Sequence, residues 1–413
     1  MSENISQNAF NAIAIITTLV FGALLINKKL LLSKQWRATV TPLASIIGSG
    51  FLIIAPLLHS VFGKFALLGI LVLVILGYGI GSITRFNIIN IEKRSTDNLC
   101  NYIKFLEKSS QMVLGISYAI SVAFYVSLFT SFLSKEMGVT GFQLMRWITT
   151  FALLGIMLIS WFRGTRGLEK IELFSVTIKL AVIGGVLSAL LVYDVSTQTE
   201  WFRHEPIKDL GVWDKLSMLA GMLMVTQGFE TTRFMGAHYS PEIRVKAARN
   251  SQLIAIFIYI LFIGLTCPIF LSFPIVELSE TTVSVSLGKA ISVLPLLLLG
   301  AAIASQLSAA LADTIGGGGL LKEIIPSNSP LKSYYVAIIV FAIILIWSAN
   351  VFEIINIASK GFASYFLLQT LIAINLLKKQ QLTPKSLFAV IGSLSLVVIL
   401  VFVIGFSTPA PHG

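Results

Sequence analysis

The stretch Thr41–Ser60, TPLASIIGSGFLIIAPLLHS, is long and apolar enough to cross a bilayer, and Gly48-Ser49-Gly50 falls at its mid-depth. Glycine costs about 1 kcal/mol against alanine inside a helix. In hydrocarbon an opened backbone also strands its N–H and C=O groups, unless protein or a water-filled cavity replaces the lipid. The stretch therefore has two readings. Two half-helices meet at a polar pocket, the second starting near Phe51 with free N–H groups suited to a carboxylate. Alternatively, the small residues serve a close helix–helix contact.

The rest of the chain settles the fold class. Of 413 residues, 56% are hydrophobic and 12% charged, which is the composition of an all-α polytopic membrane protein. Twelve spans are predicted. A leading span covers about Phe10–Ile26. Spans 1 to 5 lie near Ala38–Ser60, Phe65–Thr84, Met112–Leu133, Leu144–Phe162 and Ile171–Tyr193. Spans 6 to 11 lie near Leu216–Met235, Gln252–Phe273, Val293–Ala312, Ser333–Ala349, Phe352–Leu376 and Leu387–Phe406. The leading span has no basic residue before it, unlike a signal peptide. Lys28, Lys29, Lys34 and Arg37 follow it, and alternate loops from there on hold most of the 30 lysines and arginines. The bias places that face in the cytoplasm and both termini outside, in an integral inner-membrane protein. The net charge of +11 thus reads as topology, not as a nucleic-acid surface.

Span 6 contains a second interruption, Thr226-Gln227-Gly228-Phe229-Glu230, which combines glycine, polar groups and a carboxylate. Two interrupted spans in corresponding positions of two halves point to a transport site. Gly48 and Gly228 are 180 residues apart, and Lys179 in span 5 and Lys360 in span 10 are 181 apart. The spacing predicts a five-plus-five inverted repeat. Its parts are a leading helix with a basic loop (1–37), a first repeat (38–193), an outer loop (194–215) that packs as a cap, a second repeat (216–376) and a trailing helix with its tail (377–413).

Lys179 lies about eight residues into its span, roughly 12 Å from the interface at 1.5 Å per residue. That depth favours a pocket-facing lysine over a snorkelling one. By the inverted repeat, Lys360 falls beside the break in span 6 and the polar residues of span 3, such as Ser121 and Tyr125, either with Glu230 as its counter-charge or facing a wet vestibule and paired with nothing. Lys179 falls beside span 1 and the hydroxyls Ser305 and Ser308 of span 8. The loop Arg85–Ser110 reads as solvated or as an amphipathic segment. Asp313 with Gly316–Gly319 lacks the ending of a phosphate loop and reads as a hinge or a packing site. Two cysteines and four scattered histidines suggest neither a disulfide nor a metal framework, and no cofactor is expected.

Ile46-Ile47-Gly48-Ser49-Gly50-Phe51, the segment RGTRGLEKIELFSVTIKL, and Gly228-Phe229-Glu230 with Ser240-Pro241 beyond it resemble the amino acid–polyamine–organocation (APC) transporter superfamily. The likeness covers roughly Ala38–Leu376 and implies the leucine-transporter-type fold with alternating access. It implies that a substrate carboxylate meets amides at Ser49 and Gly50, and that an amino group meets carbonyls at Ile46, Thr226 and Gln227. It also implies that Lys179 stands where sodium-dependent members hold the ion. Two departures are notable. Ala237-His238 replaces a common acidic pair, and Arg233 occupies a place usually small, where it can pair with Glu230 three residues back.

The expected function is secondary transport of small amine- or carboxylate-bearing solutes, most of all amino acids, coupled to protons or by exchange. Substrate contacts fall to Ile46, Gly48, Ser49, Gly50, Thr226, Gln227, Gly228 and Glu230, and coupling to Lys179, Glu230, Lys360, Ser305 and Ser308. The expected partners are the solute and the bilayer. The alternatives are a non-transporting receptor or sensor that keeps this fold, and a transporter of a different organic solute. A membrane enzyme lacks a clustered nucleophile, base or acid pair.

Overall fold

The long apolar runs fold as helices because a helix satisfies its own backbone in lipid. The computed structural model describes residues 2–92, 100–139, 141–163, 168–197, 210–236, 238–275, 278–325, 328–378 and 384–410. In chain order the helices are α1 (Ser2–Leu25), α2 (Lys28–Leu31), α3 (Lys34–Phe62), α4 (Ala66–Glu92), α5 (Asn101–Glu136), α6 (Phe142–Arg163) and α7 (Leu168–Thr197). There follow α8 (Val212–Gly221), α9 (Pro241–Ser272), α10 (Thr282–Ala290), α11 (Leu294–Ile324), α12 (Leu331–Ser348), α13 (Val351–Lys378) and α14 (Pro384–Phe406). Ten stretches of the described residues are long and apolar enough to span a membrane, the longest of them, Lys34–Ile91, carrying both α3 and α4. The chain is an integral, multi-pass, all-α membrane protein.

Helix α5 sits at the centre, packed against α11, α13, α12 and α6. Helix α3 packs on α9, α7 and α11, α4 on α9, and α6 on α12. The glycines of 316–319 lie inside α11, not at a hinge. A Cβ on Gly317 would sit 2.9 Å from Ile338 Cδ1, and one on Gly318 2.5 Å from Tyr335 Cδ1. At Gly317 and Gly318 the run is packed tightly against α12, and at Gly317 also against Tyr118 of α5.

Several boundaries differ from expectation. Helix α4 runs on to Glu92 and α5 begins at Asn101, so most of the predicted Arg85–Ser110 loop is helical. The cap predicted over 194–215 lies largely outside the described residues. Its first residues prolong α7 and its last begin α8. Helices α2 and α10 were not expected, being too short to show a periodic pattern.

Helix α1 docks along α7 through Gly184 and Gly185. A Cβ at Gly185 would sit 2.7 Å from the Ala14 carbonyl. Its first turns are pinned to the loop after α10, where Gln7 donates to the Ala290 carbonyl at 2.9 Å and Asn11 to Ser292 Oγ at 2.9 Å. Gly185→Leu should therefore prise α1 from α7 at a cost of about 1–3 kcal/mol. Thermal unfolding in detergent should show a lowered Tm, whereas Gly300→Ala, a helical glycine whose added Cβ meets nothing within 4 Å, should leave Tm the same or raise it.

Candidate functional site

Span 6 is broken as expected. After α8 it continues as short 3₁₀ turns, Leu223–Thr226 and Phe229–Phe234, with Gln227 extended between them and Gly228 at φ 129°. That φ suits glycine, and a Cβ there would stand 2.5 Å from Ile46 N. The break therefore rests directly on the backbone of α3. Its polar groups are served from several elements. Ser359 of α13 donates to the Gly221 carbonyl at 2.7 Å and accepts from Met224 N at 2.9 Å. Glu230 Oε2 accepts from Gly228 N at 2.7 Å, and Thr231 and Thr232 hydroxyls donate to the Gly228 and Phe229 carbonyls, both at 2.7 Å. Arg244 at the start of α9 donates to the carbonyls of Thr232 and Arg233. Thr226, Gln227 and Glu230 are all buried, and Gln227 Oε1 and Glu230 Oε1 accept no hydrogen bond among the described residues.

Span 1 is not broken, which corrects one of its two readings. Helix α3 is continuous from Lys34 to Phe62, through Gly48, Ser49 and Gly50. The close-contact reading is the one observed. A Cβ on Gly50 would lie 2.5 Å from Val225 Cγ2, and one on Gly48 would lie 3.5 Å from Lys179 Nζ and 3.6 Å from Ser305 Oγ. The glycines let the broken segment and the Lys179 ammonium reach the α3 backbone. With α3 intact, the amides of Ser49 and Gly50 belong to the helix and do not face a half-helix pocket.

Three side chains from three helices nevertheless donate to α3 carbonyls over one turn. Lys179 Nζ of α7 donates to the Ala44 carbonyl at 2.9 Å. Tyr259 of α9 shares its hydroxyl proton between the Ile46 carbonyl at 2.8 Å and the Val225 carbonyl at 3.0 Å. Gln306 Nε2 of α11 donates to the Gly48 carbonyl at 3.0 Å. Lys179 is buried, beside α3 and Ser305 as the sequence suggested. Ser305 and Ser308 are buried too, and their hydroxyls have no partner among the described residues.

The expected Glu230–Lys360 pair is not formed. Lys360 is half-buried, and its ammonium has no ion-pair or hydrogen-bond partner among the described residues. Its neighbours on α13 do face the predicted elements: Ser359 meets the break, and a Cβ on Gly361 would lie 2.7 Å from Ser117 Oγ of α5. Nor does Arg233 pair with Glu230. It turns outward to Glu107 of α5, with N–O distances of 3.1 and 3.2 Å, and to Gln369 of α13. Gln369 in turn donates to Ser110 at 2.8 Å and accepts from Asn87 of α4 at 2.8 Å. This clasp joins the second half of the broken span to α4, α5 and α13.

Sequence reasoning missed Tyr259, Glu107, Gln369 and Asp313. Asp313 is buried on α11, and Tyr118 and Tyr125 are buried on α5. Glu107 looked solvated because it sits in a charged stretch. A signal for Tyr259 existed, since a tyrosine within an apolar span needs a partner for its hydroxyl. Ala237 and the Gly164–Gly167 stretch of the second motif lie outside the described residues. Among the described residues no three His, Cys, Asp or Glu side chains are grouped to hold a metal ion.

Comparison with known proteins adds the following. A family model described as an APC superfamily transporter matches residues 28–405. An uncharacterized protein of Aquifex aeolicus (strain VF5) is 41% identical over 345 residues, covering 82% of this chain and 84% of that one. Among solved structures, the Eremococcus coleocola manganese transporter in complex with an aromatic bis-isothiourea substituted compound is similar with a TM-score of 0.55 at 13% identity, over 89% of this chain and 86% of that one. A histidine-to-alanine mutant of that transporter gives 0.56 at 13% identity, over 91% and 87%. At that identity the likeness shows the fold alone.

Two measurements check the site. Gly50→Leu, with its side chain driven into Val225, should lower Tm and abolish solute binding in thermal-shift titration, at about 1–3 kcal/mol of overpacking. Double-mutant cycles should separate the real ion pair from the expected one. Glu107→Leu alone strands Arg233 and should cost on the order of 3 kcal/mol. Combined with Arg233→Met it should show coupling of about 1–3 kcal/mol, while Glu230→Gln and Lys360→Met should add within about 0.5 kcal/mol.

Proposed function

This chain belongs to the APC superfamily of transporters, and from that premise we propose that it moves small amine- and carboxylate-bearing solutes, amino acids foremost, by sodium-independent alternating access. The observation that carries this reading is the Lys179 ammonium, buried on α7 and bonded to the Ala44 carbonyl at 2.9 Å. In its protonated form this lysine supplies, between α7 and α3, the positive charge that a bound sodium ion supplies in sodium-dependent relatives. It also removes the vacancy such an ion needs. The deep ionisable groups Glu230 and Asp313 suit proton coupling, since intramembrane carboxylates commonly serve proton relays.

Alternating access needs two halves able to rock about a central site. The predicted inverted repeat is supported by packing. Four of the five helix pairs that it makes equivalent lie against one another, α4 on α9, α5 on α11, α6 on α12 and α3 on the broken segment, whereas α7 and α13 do not form a packed pair. With the basic loops in the cytoplasm and both termini outside, the Arg233–Glu107 clasp lies on the inner side of the site. Substrate contacts are assigned to Ile46, Gly48, Ser49 and Gly50 of α3 and to Thr226, Gln227, Gly228 and Glu230 of the break. Coupling is assigned to Lys179, Glu230, Lys360, Ser305 and Ser308.

Counterflow of single amino acids in proteoliposomes tests the reading. Exchange should persist with sodium replaced by choline and should change with pH. Lys179→Ala and Glu230→Gln compared for proton-driven accumulation and for simple exchange identify the proton carrier, as the variant that keeps exchange but loses accumulation. Binding without counterflow of any solute would instead make the protein a receptor.

A further inference from the structure

Two arginines that the transport site does not use meet where α4 ends and α9 begins. Arg85 stands near the C-terminal end of α4, and Arg249 lies just before the apolar run of α9 that starts at Leu253. The two helix ends are locked side by side. Arg85 donates to Gln252 Oε1, and Gln252 Nε2 donates to the Gly77 carbonyl of α4 at 2.8 Å. A Cβ on Gly81 would collide with the Gln252 amide. Arg249 precedes Gln252 by three residues, which makes the two neighbours on the surface of α9.

Both charges lack a counter-ion. The half-buried Arg85 guanidinium lies 4.6 Å from the centre of the Tyr78 ring and donates to the Tyr78 carbonyl at 3.4 Å. A guanidinium has five N–H groups, so most of its donors remain unused among the described residues. Arg249 is exposed, with no hydrogen-bond or ion-pair partner among the described residues. An unpaired cation at the edge of hydrocarbon is costly. An arginine that merely snorkels swings its head to water. Arg85 is instead held over Tyr78 and against Gln252. A groove starts at these same two residues. Val74, Gly77 and Tyr78 of α4 line one wall, and Gln252, Ala255 and Ile256 of α9 the other. Exposed Ile75 of α4 and Leu253 and Phe257 of α9 belong to the same stretches of the two helices. From Arg85 back to Val74 the helix rises about 16 Å. That is the depth of one leaflet in a hydrocarbon core about 30 Å thick.

We propose that Arg85 and Arg249 form the headgroup site of an anionic phospholipid, whose phosphate they hold while one acyl chain lies along the groove between α4 and α9. The charge fits: two unpaired cations face one anionic headgroup, and basic pockets between membrane helices take such groups. The geometry of the donors fits too, since the planar fork of arginine matches two phosphate oxygens at once. A zwitterionic lipid brings its own cation to the arginines and gains little from them. A soluble anion uses the arginines but leaves the groove unused. The site lies behind the broken span, because a Cβ on Gly77 would stand 2.8 Å from Thr226 Oγ1. It needs only the membrane-spanning fold and stands whether or not the solute is an amino acid.

Titration of the delipidated full chain in detergent tests it, read by native mass spectrometry for bound lipid and by thermal unfolding. The probes are dioleoyl-phosphatidylglycerol, dioleoyl-phosphatidylcholine and inorganic phosphate. The wild type should retain phosphatidylglycerol at concentrations about tenfold below those needed for phosphatidylcholine, with a raised Tm, and inorganic phosphate alone should leave Tm unchanged. Arg249→Gln should weaken phosphatidylglycerol binding about tenfold and leave phosphatidylcholine binding as it is. Arg249 is exposed and bonds no described residue, so this variant folds as the wild type does. Arg85→Lys keeps the charge but loses the fork, and should weaken the same lipid selectively. Lys322→Gln, an exposed charge at the end of α11, should change nothing. Unaltered phosphatidylglycerol binding in Arg249→Gln overturns the proposal. So does an equal loss in Lys322→Gln, which makes the effect one of general surface charge, and so does a Tm raised by inorganic phosphate alone, which makes the site one for a free anion.

Discussion

Everything in this molecule answers to the need to satisfy an opened backbone where no water is at hand. Where the chain spans lipid as an unbroken helix, the helix does this itself. Where span 6 parts at Gln227 and Gly228, it cannot, and the burden passes to side chains. Ser359 of α13 holds both sides of the first turn after α8, Glu230 and Thr231 take up the groups of Gly228, and Arg244 caps the far end. Of these groups, Ser359 is supplied by α13 and Arg244 by α9. The arrangement of α9 and α13 around the break is thus dictated by the chemistry of two or three peptide units.

The same need explains why the charged groups lie where they do. Removing a charge from water is costly, and the cost is reduced only by good partners. Lys179 has a carbonyl within 2.9 Å, and Arg233 has a carboxylate and an amide. Lys360 lacks both and remains half exposed. The two lysines, alike in sequence spacing, therefore differ in environment. Whatever symmetry relates the halves does not extend to their electrostatics.

How far all this could be read from residues alone varied with the physics involved. The long apolar runs are unmistakable, and so is the break in span 6, where glycine, polar groups and a carboxylate coincide. Gly48-Ser49-Gly50 was ambiguous because small residues serve equally to open a helix and to let a neighbour approach. Only the position of Val225 against Gly50 distinguishes them. Glu107 was hidden by its neighbours: in a stretch rich in charge, a carboxylate looks solvated until the helix carrying it is seen to reach Arg233. The pairing of Arg233 with Glu230 was a local argument, three residues along a helix, and it failed because Glu230 turns back to Gly228.

The docking of α1 carries a consequence for how the protein is made. Its chief partner is α7, and four membrane helices, α3 to α6, are synthesised between the two. Chains emerge N-terminus first, so α1 enters the bilayer long before the glycine-lined surface of α7 exists to receive it. Its exposed Ile15, Ile16, Leu19, Val20 and Leu24 make it comfortable in lipid alone while it waits. The contact through Gly184 and Gly185 is then a late, lateral capture of an already inserted helix, and assembly around α1 proceeds by association within the membrane and not by sequential threading from the ribosome.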